Sequence, residues 1–237
     1  MYILFDANVV AAYYLPRSTQ SSKVAERAQI LIDSVRSGAS RHFFYIPNFC
    51  IAEVFSVFMK YAFGTWNKQV KRAKGPIDKR VYKSLKDQFH EDIHNGKLFY
   101  HYELSRYHVL GINVVAPIDH HYKITKGPDT IPMGTFDHLI ISMSIHLAHI
   151  HGSENVLIVS ADDRLTDILA RCRSDISKEI IKKLKLEESK EITGRDFNSR
   201  IFPRFINFKR ARKKDLENIF GSWPLSINRH KKAYRYL

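Results

Sequence analysis

Short apolar runs alternate with amphipathic segments along most of this chain. Three runs, "YILF" (2–5), "HFFYI" (42–46) and "VLIVS" (156–160), have the length and composition of buried strands. Apolar residues at helical spacing lie between them. This alternation is typical of a parallel sheet that is covered by helices on both faces. We therefore predict an α/β fold with three layers, in which a central parallel sheet lies between two helical layers.

The predicted helices have start and stop signals. Pro16 and Gly38 end the first two helices, and Asn48 and Thr135 are expected to cap the third and the fifth. The segment "INVVAPI" (112–118) is predicted to be a weak strand or a connector. Helices are predicted over residues 7–15, 20–37, 49–62, 77–94, 134–152 and 163–172.

Positive charge is distributed unevenly. The 237 residues include 38 Lys and Arg against 24 Asp and Glu, a net charge of +14, which favours a polyanionic partner such as nucleic acid. Residues 178–237 hold 17 basic and 7 acidic residues, residues 66–98 hold 9 and 4, and residues 1–59 hold 5 and 4. We therefore predict one domain over 1–177 with a basic helical insertion at about 66–110. A basic C-terminal extension follows over 178–237.

The composition excludes several classes of protein. An apolar fraction of 44% excludes a mainly disordered chain. Cys50 and Cys172 are too few for a disulfide framework and fit a reducing compartment, so we expect a cytoplasmic protein. Asp6 interrupts the first apolar run, so we expect that this run is not a signal peptide. The most apolar stretch carries Glu53 and Lys60 and is too short to span a bilayer, so no membrane partner is expected.

Four carboxylates are predicted to meet at one end of the sheet. Asp6 ends the first strand, and Asp162 comes two residues after the strand 156–160. Glu53 lies one turn into the helix after the second strand, and Asp137 lies in the first turn of a helix that leads back to the sheet. Ligands of open parallel sheets bind at the carboxyl ends of the strands. Carboxylates in one place raise each other's pKa unless a cation joins them, and ligation by oxygen alone suits Mg²⁺ or Mn²⁺.

Four motifs carry a resemblance to a known family. "ILFDANVV", "IPNFCIAEVF", "TFDHLIISMSI" and "LIVSADDRL" resemble the successive acidic motifs of PIN-domain ribonucleases, the family that includes the VapC-type toxins. The resemblance covers roughly residues 1–64 and 112–172, in a chain longer than a typical VapC-type toxin. It implies a PIN-like fold and a metal-dependent endoribonuclease that holds one or two Mg²⁺ or Mn²⁺ ions. The products would carry 5′-phosphate and 3′-hydroxyl ends.

The resemblance also implies roles for individual residues. The carboxylates that would act as catalytic metal ligands are Asp6, Glu53, Asp137 and Asp162. Asn8 would orient Asp6, and Ser160 would support the site by hydrogen bonding. Asp163 directly follows Asp162, and either of them could face the metal. The Ser160-x-Asp162 spacing favours Asp162, with Asp163 in a supporting position.

Two basic segments are candidates for RNA contact. The polar side of the predicted helix 77–94 presents Lys79, Lys83 and Lys86. The run "FKRARKKDL" (208–216) contains Lys209, Arg210, Arg212, Lys213 and Lys214. Basic residues with aromatic neighbours bind a phosphate backbone and stack on unpaired bases. The alternative interpretation of both segments is an ordinary solvated surface.

These observations lead to one hypothesis with two alternatives. The hypothesis is a metal-dependent endoribonuclease, and the resemblance extends it to a toxin that forms a homodimer or binds a small antitoxin-like protein. The alternatives are an RNA-binding module without turnover and a structure-specific DNA nuclease. A haloacid-dehalogenase-like phosphatase is disfavoured because Asn8 stands where its second acid belongs. A dinucleotide enzyme is disfavoured because no Gly-rich turn follows the first strand.

Overall fold

A five-stranded, all-parallel sheet forms the centre of the molecule. The computed structural model describes residues 1–15, 22–62, 79–122, 132–174 and 176–228. The strand order is β3-β2-β1-β4-β5. The strands are β1 (Tyr2–Phe5), β2 (Phe43–Pro47), β3 (Phe99–Tyr102), β4 (Val156–Ser160) and β5 (Arg204–Asn207). The three strands predicted from apolar runs are confirmed as β1, β2 and β4.

Helices cover both faces of this sheet, which confirms the predicted α/β fold class. In the described residues they are α1 (Ala7–Tyr14), α2 (Ser22–Arg36), α3 (Asn48–Ala62), α4 (Lys79–Ile93), α5 (Arg106–His121), α6 (Thr135–His151), α7 (Asp163–Ser174), α8 (Lys178–Lys183), α9 (Lys190–Thr193) and α10 (Lys213–Phe220). Helices α1 to α4 pack on one another, α5 packs on α6, and α7 packs on β5. Asn48 and Thr135 are the first helical residues of α3 and α6 rather than their caps, and the N-cap of α6 is Gly134, so the predicted caps are each one residue off.

The prediction for residues 112–118 is wrong, because this segment lies inside the helix α5. Val114, Val115 and Ile118 are buried at helical spacing, whereas a strand would bury every second residue. Pro117 is accommodated within the helix. Packing against α6 therefore overrides the low helix propensity of the β-branched residues.

A glycine allows α5 and α6 to approach closely. A Cβ atom at Gly111 would lie 2.0 Å from Ser142 Oγ, so a larger residue there would force the helices apart. Ser142 Oγ donates a hydrogen bond to the carbonyl of His108 at 2.7 Å. This close contact fixes α6, whose first turn carries Asp137.

The two segments that the sequence sets apart as additions each contribute an edge strand. Strand β3 lies within the predicted insertion 66–110, and β5 lies within the predicted extension 178–237. Neither strand was predicted, because "FYHY" and "RFIN" are four-residue runs with little apolar content to mark them. Both segments therefore belong to the sheet that builds the site.

A buried carboxylate ties α4 to the core. Asp92 on α4 accepts hydrogen bonds from both terminal nitrogens of Arg36 on α2 and from the Tyr14 hydroxyl on α1. Burial raises the pKa of Tyr14 well above its usual value, so the hydroxyl remains a proton donor. Leu85 and Phe89 of α4 are buried, as their spacing predicts. The helix of the predicted insertion is thus held by charge pairing as well as by packing.

The C-terminal segment is anchored by arginine side chains of the preceding helices. Arg27 on α2 donates to the carbonyl groups of Phe208 and Ala211. Arg173 on α7 donates to the carbonyl of Phe202 at 2.6 Å. The rings of Phe202 and Phe208 are fully buried. The chain as far as residue 228 therefore packs against the rest of the fold.

Two further expectations concern the cysteines and the possibility of a membrane-spanning helix. Cys50 and Cys172 are both free and buried. Burial raises the pKa of the Cys172 thiol to about 12. Within the described ranges, every helix is too short or too polar to cross a bilayer.

Candidate metal centre

The sheet places Asp6 and Asp162 on neighbouring strands. Strand β1 pairs with β2 on one side and with β4 on the other, so the strand order reverses between β1 and β4. The carboxyl ends of strands at such a reversal flank a crevice in which ligands bind. Asp6 directly follows β1, and Asp162 comes two residues after Ser160, the last residue of β4. The two carboxylates therefore both lie at the end of the sheet where ligands are expected to bind.

Two side chains orient Asp6. Ser160 Oγ and Asn8 Nδ2 each donate to Asp6 Oδ2 at 2.6 Å. Asn8 Oδ1 accepts the backbone N–H of Ala161 at 3.0 Å, which fixes the amide itself. Both donors use the same oxygen of Asp6, and so Oδ1 is the atom left for a ligand. Asn8 and Ser160 thus occupy the positions that their predicted roles require.

The four predicted carboxylates act on one another electrostatically. Burial raises the pKa of the Asp6 carboxyl from 3.8 to about 7. The Ser160 hydrogen bond opposes this rise, and the charges of Asp137, Asp162 and Glu53 add to it. Burial and the charge of Asp162 raise the pKa of Asp137, while burial and the charge of Asp137 raise that of Glu53. A divalent cation would relieve this repulsion. We call Asp6, Glu53, Asp137 and Asp162 together the acidic cluster.

The adjacent residues Asp162 and Asp163 face different partners. Asp162 Oδ1 caps α7 by accepting the backbone N–H groups of Arg164 at 2.7 Å and Leu165 at 2.9 Å. Asp163 forms ion pairs with Lys209 at 2.9 Å and Arg210 at 2.7 Å. Only Asp162 of the two raises the pKa of Asp6. Asp162 is therefore the residue of this pair that shares the acidic cluster.

The backbone at the start of α6 fixes Asp137. The residue before this helix is Gly134, whose backbone N–H donates to Asp137 Oδ2 at 3.1 Å. A carboxylate in the first turn is also favoured by the helix dipole. These contacts hold Asp137 with one oxygen bonded to the backbone, near enough to Asp6 and Asp162 to interact with them electrostatically. Among the described residues, the close group of possible ligand atoms contains Asp6, Cys50 and Glu53 but neither Asp137 nor Asp162.

Cys50 lies beside the acidic cluster and was not predicted as a site residue. Its sulfur and one carboxylate oxygen each of Asp6 and Glu53 lie within 4.8 Å of one another. Burial and the charges of Asp6 and Glu53 raise the pKa of the thiol well above its usual value. The protonated thiol therefore contributes a hydrogen bond to Glu53 rather than a negative charge. The signal in the sequence is the i, i+3 spacing of Cys50 and Glu53 on one face of α3.

A buried ion pair lies behind Asp137. Asp119 on α5 is completely buried, and its Oδ1 accepts from Arg164 Nη2 at 3.2 Å. Its Oδ2 accepts from the backbone N–H of Met133 at 2.9 Å and from His138 Nε2 at 3.2 Å. The charges of His138 and Arg164 oppose the rise in the pKa of Asp137. Arg164 is thus a fixed cation beside the acidic cluster, and no sequence motif identified it.

Asn207, at the carboxyl end of β5, braces the loop after β4. Its Nδ2 donates to the carbonyl of Asp162 at 3.2 Å, to Asp163 Oδ1 at 3.1 Å and to Thr166 Oγ1 at 2.9 Å. Asn207 is the register partner of Ser160. The segment predicted as an extension therefore supports the loop that carries Asp162.

The basic run after β5 lies next to this loop. Lys209 and Arg210 pair with Asp163, and Arg210 also pairs with Asp167 at 2.9 Å. The exposed start of α10 carries the rest of the predicted run. There Arg212 pairs with Asp215, Lys213 pairs with Glu217, and Lys214 is exposed. The run thus places Lys209 and Arg210 next to the loop that carries Asp162, and four of its five cations pair with acidic side chains.

Of the three lysines predicted to contact RNA from α4, the structure describes the side chains of two. Lys83 is exposed, and Lys86 pairs with Asp87 at 3.4 Å on the surface. Lys79 is the first residue of α4, and its side chain lies outside the described part of the chain. Contact of this helix with RNA stays a prediction.

Comparison with known proteins gives no match. No protein-family model, no curated protein and no solved structure is significantly similar to this chain. The resemblance to PIN-domain ribonucleases is thus confined to the four motifs. The function must be argued from the site itself.

Proposed function

We propose that this protein is a metal-dependent endoribonuclease of the PIN-like kind. The observation that carries the proposal is that four carboxylates lie at the end of the sheet where the strand order reverses and act on one another electrostatically. Each of them comes from a different element: Asp6 after β1, Glu53 on α3, Asp137 on α6 and Asp162 after β4. Their mutual effect on pKa supports a shared cation.

The chemistry of the donor set fits Mg²⁺ or Mn²⁺. The four carboxylates offer oxygen ligands, which hard divalent cations prefer, and the neighbouring Cys50 thiol stays protonated. A cation held by them supplies a water of lowered pKa and positive charge for a phosphodiester oxygen. Asn8 and Ser160 hydrogen-bond Asp6 and hold its side chain in one rotamer, so Asp6 would present the same oxygen to the cation each time.

The chain's own cations would position the substrate. Arg164 is held by Asp119 next to Asp137, where its guanidinium can hydrogen-bond a phosphate oxygen. Lys209 and Arg210 pair with Asp163, the residue after Asp162, and the net charge of +14 attracts a polyanion. Together these groups support RNA as the partner of the acidic cluster.

Cleavage of total RNA by matched variants tests the proposal. Asp6→Asn and Asp137→Asn should each lower the rate with Mg²⁺ or Mn²⁺ by about 100-fold or more, because each removes a charged ligand of the cation. EDTA should abolish cleavage by the wild type. Glu154→Gln is the matched control. Glu154 is an exposed carboxylate that pairs with Arg173, and it lies just before β4, at the opposite end of the sheet from the acidic cluster. Cleavage that persists in Asp6→Asn would contradict the proposal.

A second comparison separates the neighbouring carboxylates. Asp162→Asn should lose activity as Asp137→Asn does, while Asp163→Asn should show the smaller effect of losing its pairs with Lys209 and Arg210. Single-stranded DNA and flap DNA offered beside RNA test the nucleic acid class. Preferential cutting of DNA would favour a DNA nuclease, and tight RNA binding without cutting would favour a binding module.

The toxin role, the homodimer and the antitoxin-like partner remain predictions from the resemblance. Sedimentation of the purified protein measures its oligomeric state. Growth arrest on expression in a bacterial host, lost in Asp6→Asn, is the result expected of a toxin.

A further inference from the structure

Two phenylalanine rings stack at the rim of the acidic cluster. Phe136, the second residue of α6, directly precedes Asp137, and Phe49 on α3 directly precedes Cys50. The ring centroids are 5.1 Å apart and the ring planes differ by 15°. Phe136 is 49% exposed, whereas Phe49 is half-buried. The pair thus bridges the first turns of the two helices that carry Asp137 and Glu53.

This arrangement leaves an aromatic face open beside the site. Phe49 covers one face of the Phe136 ring, so the exposed surface belongs largely to the opposite face and the edge. A single exposed apolar residue is common on protein surfaces. Here, however, Phe49 lies four residues before Glu53, so these two side chains share one side of α3, and Phe136 stacks on Phe49. The open face therefore lies beside the acidic cluster.

We propose that Phe136, supported by Phe49, is a base-stacking residue that holds an unpaired base next to the phosphate at the acidic cluster. This inference rests on the proposed function. Aromatic side chains stack on unpaired bases of any sequence, whereas a base inside a duplex is already covered on both faces. A nucleotide also brings a phosphate to the cation site. An apolar protein segment on the same ring would instead bury the neighbouring carboxylates without a partner.

The test measures stacking without cleavage. Short single-stranded RNAs with 2-aminopurine at successive positions are titrated with protein in EDTA, and fluorescence quenching reports the stacked base. Phe136→Ala should weaken binding by about 5- to 150-fold and abolish the quenching. Phe136→Trp should restore both. Binding of a duplex of the same sequence should not differ between the wild type and Phe136→Ala.

Phe43→Ala is the matched control. Phe43 is 46% exposed and stacks on Tyr100 with a centroid distance of 5.0 Å and an interplanar angle of 23°. It lies at the amino end of β2, away from the acidic cluster. Its substitution should leave the quenching unchanged. Equal losses in the two alanine variants, or no loss in Phe136→Ala, would overturn the inference.

Cleavage assays separate this inference from the proposed function. If the wild type cuts single-stranded and duplex RNA equally and Phe136→Ala cuts like the wild type, the stacking role is wrong and the nuclease assignment stands. If Asp6→Asn cuts as well as the wild type while Phe136→Ala loses the quenching, the proposed function is wrong and the stacking role stands.

Discussion

Asp6→Asn is expected to stabilise the metal-free protein at neutral and alkaline pH and to remove its stabilisation by Mn²⁺. The reason is that Asp6 is buried among carboxylates, which raises its pKa from 3.8 to about 7 in the folded protein. An asparagine retains an oxygen that accepts from Ser160 and Asn8 but carries no charge. The measurement is the free energy of unfolding in urea, between pH 4 and pH 8, in EDTA.

The direction of the pH dependence follows from the two pKa values. Below pH 3.8 the Asp6 carboxyl is protonated in both states and adds no cost. Between pH 3.8 and about 7 the unfolded chain releases this proton while the folded protein keeps it, so the stability falls as the pH rises. The total loss at the upper end of this window is on the order of 4 kcal/mol. Asp6→Asn does not have this loss, and so its advantage over the wild type should grow across the window.

A control variant and a measurement with added cation make this prediction specific to Asp6. Asp196→Asn removes an exposed carboxylate that pairs with Lys190, and should show no growing advantage. A saturating cation should stabilise the wild type by about 2.7 kcal/mol at 100 times its Kd. The same cation concentration should stabilise Asp6→Asn by much less. A pH-independent difference between the two proteins, or equal stabilisation by Mn²⁺, would contradict the assignment of Asp6.

This cost of an unliganded acidic cluster is expected of a functional site. No packing advantage requires Asp6 to be charged, since a neutral amide fits the same hydrogen bonds. Sites that must bind a cation or a transition state commonly reduce the stability of the fold in this way. The same residues would therefore link metal binding to folding stability.

The elements with strong local signals could be predicted from the sequence. Strands β1 and β4 are apolar runs bounded by polar residues, and the carboxylates that follow them meet because parallel strands end on the same side. Residues 112–118 were misassigned because their β-branched composition outweighed a helical pattern that only packing against α6 makes decisive. Strands β3 ("FYHY") and β5 ("RFIN") were missed because, unlike the four residues of β1, they include polar residues that break the apolar run.

The supporting residues of the site depended on contacts between distant parts of the chain. Asp119 and Arg164 are 45 residues apart and belong to no common motif. Asn207 reaches the loop after β4 through β5, which the sequence did not reveal. Of these supporting residues, Cys50 is the one that the sequence could have indicated, because it lies three residues before Glu53 on the same helix. Sequence motifs thus located the four carboxylates of the acidic cluster, and the three-dimensional structure was needed to find the side chains that hold them.

Asp119→Ala is expected to lower the free energy of unfolding by about 3–5 kcal/mol, because it leaves Arg164 and His138 without the buried carboxylate that pairs with both. The same change removes the acceptor of the Met133 N–H group. Asp119→Asn keeps an acceptor and loses only the charge, so its cost should be smaller. Urea unfolding at pH 7 measures all three proteins.

The matched control for this buried pair is Asp196→Ala, which breaks an exposed ion pair with Lys190 and should cost at most about 1 kcal/mol. At a temperature where Asp119→Asn remains folded, RNA cleavage should also fall, since the guanidinium of Arg164 is no longer fixed beside Asp137. Full stability in Asp119→Ala would show that Asp119 does not hold Arg164. Lost stability with full cleavage by Asp119→Asn would confine Asp119 to the fold and remove Arg164 from the proposed mechanism.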